Sequence, residues 1–157
     1  MRPGLRLTNV SSASTTLPPA TAAYYHAIFT YIKSKSTTHD DIVGNPGTAA
    51  LTDWQLNDIA GTQAADEIVI FEGPMTGKDS LELFVMPVWA RNYPASDIVM
   101  LVYDVPEASI ASVCARLKSD RVGLVEVTDA TIIPGVSTPW NSLQSASYWT
   151  AFRAACR

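Results

Sequence analysis

Short apolar runs alternate with segments of helical period along most of the chain. Residues 41 to 45 ("DIVGN"), 67 to 72 ("EIVIFE"), 98 to 103 ("IVMLVY") and 122 to 127 ("VGLVEV") are the runs, rich in Val, Ile and Leu. A half-exposed strand alternates apolar with polar, whereas a continuous run marks a strand covered on both faces, the habit of parallel sheets. Between the runs the period changes. "PATAAYYHAIFTYIKSKS" places Ala23, Tyr24, Ala27, Ile28, Tyr31 and Ile32 on one helical face, and "LTDWQLNDIAG" predicts a short helix that Gly61 ends. "DSLELFVMPVWA" reads as helical with an interruption at Pro87. "PEASIASVCARLKSD" is a well-marked helix with Pro106 near its start and Ile110, Val113, Cys114 and Leu117 on one face, and "SASYWTAFRAACR" is the last helix.

Strands separated by helices pair in parallel, so the pattern predicts an α/β fold of about four parallel βα units. These occupy residues 20–157 as one domain. Residues 1–19 are rich in Ser, Thr and Pro with little periodicity and read as a flexible leading segment.

Every run gives way to polar residues at its end: Asn45, Glu72, Tyr103-Asp104 and Thr128-Asp129. They recur at the spacing of a βα unit. In parallel α/β folds ligands bind outside the carboxyl ends of the strands, and in barrels catalytic groups sit there. Asn45, Glu72 and Asp129 are therefore expected to converge at one end of the sheet, with Gly73 letting a loop turn away beside Glu72.

Length and charge narrow the function further. The 157 residues are 47% hydrophobic and 17% charged with a net charge of -4, enough apolar material for one sizeable core. Acidic and basic residues are interspersed, so no basic stripe is present for phosphates or anionic lipid, and neither nucleic acid nor a membrane surface is an expected partner. No apolar run approaches a membrane span of about 20 residues, and the first residues lack the continuous apolar segment of a secretory signal. Two cysteines, Cys114 and Cys156, are too few for a thiolate zinc site and leave two readings open, a bridge or two buried thiols. Their helices belong to neighbouring units. Asn9-Val10-Ser11 matches a glycosylation sequon of low specificity.

The histidines, His26 and His39, form no metal-binding pattern, and no metal or organic cofactor is expected. "GPMTGKDS" falls short of a phosphate loop: the glycine spacing is one short and Asp79 follows the Lys where Ser or Thr should stand. Trp140, on a loop after Pro139, is the best platform for stacking on a sugar ring. Trp149 shares a helical face with Phe152 and reads as packing, as do Trp54 and Trp89.

Four pieces in order, "VGNPGT", "IVIFEG", "VGLVEVTDA" and "PWNSLQSASYW", resemble the C-terminal half of the spherulation-specific family 4 (spherulin-4-like) proteins, over most of residues 20 to 152. The resemblance implies the C-terminal half of a TIM-type (β/α)8 barrel. It also implies an extracellular or cell-surface glycoside hydrolase that cuts galactosamine-containing polysaccharide of fungal matrices. The resemblance would make Glu72 the strand-end catalytic glutamate and Asn45 a substrate contact, while Tyr103 and Asp129 at their strand ends and Trp140 on its loop are read as further substrate contacts from their own positions. Partial desolvation at a buried strand end suits Glu72 to donating a proton. The family's Asp-Glu pair has no counterpart here: the place it would occupy holds "GLRLTNVSSASTTLPPAT", without an acid. Glycoside hydrolysis usually needs a second carboxyl about 5 to 9.5 Å from the first. Asp129, Asp104 and Glu126 are the candidates within the chain.

Two functional expectations follow, a hydrolase-like fragment and a carbohydrate-binding or cell-surface protein without turnover. Four strands do not close a barrel, so the open edges are expected to favour self-association.

Overall fold

The structure is a computed structural model and describes residues 5–8, 19–35, 41–47, 65–133, 135–141 and 143–157. The expected helix over "LTDWQLNDIAG", together with Trp54, His39 and the sequon at Asn9, lies outside the described residues.

Five strands make one sheet: β1 (Leu5–Thr8), β2 (Ile42–Asn45), β3 (Glu67–Pro74), β4 (Ile98–Tyr103) and β5 (Leu124–Val127). They lie in the spatial order β1-β2-β3-β4-β5, and every neighbouring pair is parallel. Strict sequential order is that of successive barrel strands; a doubly wound sheet reverses direction at a switch point. The fold is α/β, a half-barrel. The four expected strands are present within two residues of their predicted bounds. The fifth corrects the reading of residues 1–19 as wholly flexible, because Leu5–Thr8 pairs with Ile42–Asn45 along its length.

Three α-helices accompany the strands: α1 (Pro19–Lys35), α2 (Ile110–Ser119) and α3 (Ala146–Ala155). In α2 the buried residues are Ile110, Val113, Cys114 and Leu117, the face that the sequence predicts. A single turn of 3₁₀ helix, Glu107–Ser109, leads into it from Pro106. Ser145 caps α3, its hydroxyl accepting the Tyr148 amide at 3.2 Å, and satisfies one of the unpaired amides of the first turn. The inward face of α1 is rotated from the expected one. Phe29 is buried with Tyr25, Ile28 and Ile32 beside it, against Ile42 and Ala65, while Tyr24 and Tyr31 are exposed. Apolar residues lie all around this helix, so periodicity alone leaves its orientation open.

The helix expected over "DSLELFVMPVWA" does not form. Phe84 N–H bonds to the carbonyls of Ser80 and Leu81 in an isolated turn, and the chain then passes through Pro87 into a 3₁₀ segment, Val88–Asn92. Proline removes the amide that would continue the helix and disfavours helical backbone in the residue before it.

The main core lies on one face of the sheet. It joins Ile68, Ile70 and Phe71 of β3 and Ile98, Met100 and Val102 of β4 to the inward residues of α2 and to Tyr148 of α3. Tyr148 donates its hydroxyl to Val105 O at 3.1 Å. The opposite face carries a smaller cluster of Val69, Val99 and Leu101, with Val43 and Trp140 against it. A disulfide joins Cys114 of α2 to Cys156 just past α3, with Cα atoms 5.1 Å apart, which decides between the two readings of these cysteines. It lies with Val122, Gly123 and Val125 at the entry end of β5. At the same end, Asp66 accepts the Ile42 amide at 2.9 Å and pairs with Lys33 of α1 at 2.9 Å.

Candidate functional site

Strand alternation assigns the site residues to a face. Val43 and Asn45 of β2, and Val99, Leu101 and Tyr103 of β4, are each two apart and share the face of the smaller cluster. In β3, alternation from Val69 would bring Phe71 to that face and turn Glu72 into the helix-side core. A β-bulge reverses this. Val69 pairs with Val99, but Phe71 pairs with Met100 and Glu72 with Leu101, leaving Ile70 as the extra residue. Bulges re-aim side chains in this way, and they concentrate next to active sites. Phe71 thus packs against Phe84, ring centroids 5.0 Å apart, and Glu72 emerges on the face of Asn45, Leu101 and Tyr103.

Two donors hold its carboxylate. Asn45 Nδ2 donates to Glu72 Oε2 at 2.9 Å, and Trp140 Nε1 donates to Glu72 Oε1 at 2.8 Å. Asn45 Oδ1 also accepts the Gly47 amide at 2.8 Å, so one side chain makes the turn after β2 and grips Glu72. Asn45 is only 3% exposed, and the two contacts fix its amide orientation. N–H donors on both oxygens address an anion. That pattern suits a nucleophile, a base or a stabiliser of positive charge better than the proton-donating role expected above.

Trp140 arrives on the loop between β5 and α3. It stands edge-on to Tyr103, centroids 6.4 Å apart and planes at 80°. Burial, then the charges of Asp104 and Glu72, push the Tyr103 hydroxyl above the usual tyrosine range, so it remains a neutral donor at physiological pH. The loop is anchored by Thr128, fully buried, whose hydroxyl accepts from the Ala130 amide at 3.0 Å and from Gln144 Nε2 at 2.8 Å.

Asn45, Glu72, Tyr103 and Trp140 therefore come together. Asp129 does not join them: it is exposed, shares no hydrogen bond with Glu72, and its charge acts on Tyr148 of α3. The other two candidate carboxyls divide. Asp104, in left-handed backbone at φ 56°, accepts a hydrogen bond from Thr131 Oγ1. Glu126 pairs in register with Leu101, as Glu72 does from the other side, so the two glutamates share a row two strands apart. That is about 10 Å between backbones.

Beside Glu72 opens a cavity of about 500 Å³, lined among the described residues by Gly47, Phe71, Glu72, Asp79, Ser80, Leu83 and Phe84. Asp79 and Ser80 are not singled out by the sequence. The stretch that carries them, "GPMTGKDS", resembles a failed phosphate loop, and its paired glycines are the sole hint of a loop that doubles back. Among the described residues no group of three or more His, Cys, Asp or Glu side chains could hold a metal ion, and no helix is long and apolar enough to cross a membrane.

Fold and site together define a half-barrel with a gripped carboxylate at its carboxyl rim. No family model matches the chain, and no curated protein matches it. Among solved structures, the crystal structure of Aspergillus clavatus Sph3 in complex with GalNAc superposes at a TM-score of 0.60 and 15% identity, over 90% of this chain and 53% of that one. The chain spans about half the length of that neighbour, and the likeness is one of fold.

Proposed function

We propose that the chain is a carbohydrate-active protein of the glycoside hydrolase kind, similar to the spherulation-specific family 4 proteins, that acts on galactosamine-containing polysaccharide. Glu72 is its catalytic carboxylate. The reading rests on one observation above the rest: a bulge turns Glu72 to the site face, where Asn45 and Trp140 each hold one of its oxygens. In that grip the carboxylate sits ready to stabilise the positive charge that develops at the sugar's anomeric carbon, and its orientation costs nothing at the moment of reaction. Tyr103 is a neutral hydrogen-bond donor beside it, and Asn45 and Trp140 position it. Asp129 contributes to substrate contact only if a long sugar chain reaches past β5.

Two further features support the reading. The solved structure of the same fold holds GalNAc. The disulfide between Cys114 and Cys156 is of a kind that persists in oxidising compartments, in keeping with an extracellular or cell-surface site of action.

A second reading, sugar binding without turnover, is favoured by the absence from residues 1 to 19 of any acid to match the Asp-Glu pair that the family resemblance leads one to expect. Release of reducing ends from galactosamine polysaccharide decides between them. The wild-type chain is expected to release reducing ends slowly, and Glu72→Gln to abolish release while keeping the fold, at a stability cost of about 1 kcal/mol for one lost hydrogen bond. Equal rates for the two chains would exclude Glu72 as the catalytic group. Binding without release by either chain would establish the second reading.

A further inference from the structure

Cleavage of the bond between two sugars needs a proton on the leaving oxygen, and the grip on Glu72 suits it to the other role. Asn45 and Trp140 each donate to one of its oxygens, the pattern of a bound anion. The Tyr103 hydroxyl beside it is a poor source, because burial, then the charges of Asp104 and Glu72, hold its proton more tightly than in an ordinary tyrosine. Three other carboxyls are engaged elsewhere. Asp104 accepts from Thr131 Oγ1, Asp129 lies past the end of β5 with its charge acting on Tyr148, and Asp79 stands 85% exposed on its loop with the Lys78 ammonium at 3.9 Å.

Glu126 is differently placed. The ladder pairs Glu72 of β3 with Leu101 of β4, and Leu101 with Glu126 of β5, so the three form one row and project from one face of the sheet. Glu67, in register with Val43 on that face, lies at the entry end of β3, far from the row. Along β5, Val125 and Val127 turn into the main core, whereas Leu124 and Glu126 turn to the site face. A strand that needed only to cover this face would carry a second apolar residue there. Between the two glutamates the floor is apolar: Leu101 is 6% exposed, and Trp140 packs over it together with Val69 and Val99. Two strands of separation set the glutamate backbones about 10 Å apart. On the concave face of a half-barrel the side chains converge from there, toward the separation of about 5 to 9.5 Å that glycoside hydrolysis uses.

We infer that Glu126 is the second catalytic carboxyl of the site, the proton donor that works with Glu72. The inference rests on the proposed function and deepens it by naming the acid. With a sugar on the floor between them, Glu126 passes its proton to the glycosidic oxygen as the C–O bond breaks and the bonding electrons go to that oxygen. Glu72 offsets the positive charge at the anomeric carbon. The Glu126 carboxylate then takes a proton from the water that adds to that carbon, which restores the acid. Two carboxyls in unlike settings, one gripped by N–H donors and one in an apolar row, divide the work in this way.

The test compares two substrates on the whole chain: galactosamine polysaccharide, whose leaving sugar needs a proton, and the 2,4-dinitrophenyl glycosides of a galactosamine oligomer in both anomers, whose leaving phenolate needs none. Glu126→Gln is expected to slow release of reducing ends from the polysaccharide by about a hundredfold or more, and release of dinitrophenolate by less than about tenfold. It should also remove the alkaline limb from the pH profile of kcat/KM on the polysaccharide. Glu72→Gln should lose both substrates. Glu126 is exposed and Gln keeps its shape, so the variant folds, and its continued release of dinitrophenolate reports this directly. Losses of equal size on the two substrates, or no loss on either, overturn the inference alone. Failure of the wild-type chain to act on either substrate overturns it together with the proposed function.

Discussion

Reduction of the Cys114–Cys156 disulfide removes a cross-link without removing a heavy atom, since both sulfurs remain as thiols. The bridge closes a sequence separation of 42 residues that takes in β5 and most of α2 and α3. For a loop of that length, the loss of denatured-state entropy corresponds to about 4 kcal/mol at 25 °C. In a domain of this size that is about 8 to 16 °C in melting temperature. Cys114 is buried in the main core, and the loop-entropy account places the effect of reduction on the unfolded state. The bridge sits at the entry end of β5, whereas Glu72 lies at the exit end of β3, so sugar binding at low temperature should survive reduction. Urea titrations followed by circular dichroism, with and without a phosphine reductant, measure the difference, and thiol alkylation confirms the redox state. Coincident midpoints for verified oxidised and reduced chains would refute the reasoning. So would two alkylatable thiols in the untreated native protein.

Gly73→Ala forces a methyl group against a backbone carbonyl and an aromatic ring, which should cost about 1 to 3 kcal/mol in chemical denaturation and weaken oligosaccharide binding as the Asp79 loop lifts away. Burial, then the charges of Asp129 and Glu107, push the Tyr148 hydroxyl well above the usual tyrosine range. The folded chain therefore holds that proton more tightly than the unfolded one. Stability from this source is complete below about pH 10, the unfolded value, and falls as pH rises beyond it. Tyr148→Phe should cost about 1 to 2 kcal/mol at neutral pH through the unpaired Val105 carbonyl, and should flatten the alkaline decline in urea midpoint; an unchanged decline would count against the assignment. Among the described residues nothing pairs with the outer edges of β1 and β5, and Leu124 on β5 is 41% exposed, so size-exclusion chromatography is expected to show a dimer or larger species; a monomer at every concentration would contradict this.

The strands that the sequence shows are those whose burial is written in their composition. Ile68 to Phe71 and Ile98 to Val102 are continuous apolar runs, and they are buried between two layers. β1 escapes notice because "LRLT" is four residues with a charge among them, flanked by Gly4 and Asn9; its strand character comes from pairing with β2, a contact 37 positions away in the chain. The inward face of α1 is likewise set by where Ile42 and Ala65 stand. At the site, Glu72, Asn45 and Tyr103 are legible because each closes an apolar run, and Trp140 because it follows a proline on a loop, although its packing against Val69, Val99 and Leu101 is not. The bulge at Ile70 is not legible, and without it alternation assigns Glu72 to the wrong face. Asp79 and Ser80 are hidden for a similar reason: their place on the cavity depends on how closely a loop can approach Gly73, a property of packing and not of spacing.

The grip on Glu72 has a consequence for the order of assembly. Its two donors come from opposite directions in the chain, Asn45 lying 27 residues before it and Trp140 lying 68 residues after. Contacts between distant positions form late in folding, because the intervening chain must be ordered before they can close. Helix α2 is local, and Ile68 of β3 pairs with Ile98 of β4 across less than half the separation between Glu72 and Trp140. An intermediate with those elements docked holds a nearly complete core and a Glu72 that nothing from the C-terminal loop yet restrains. The site is thus a marker of finished folding: recovery of sugar binding after dilution from urea should lag behind recovery of helical signal. During synthesis, the carboxylate waits for most of the remaining chain to emerge before its second oxygen is held.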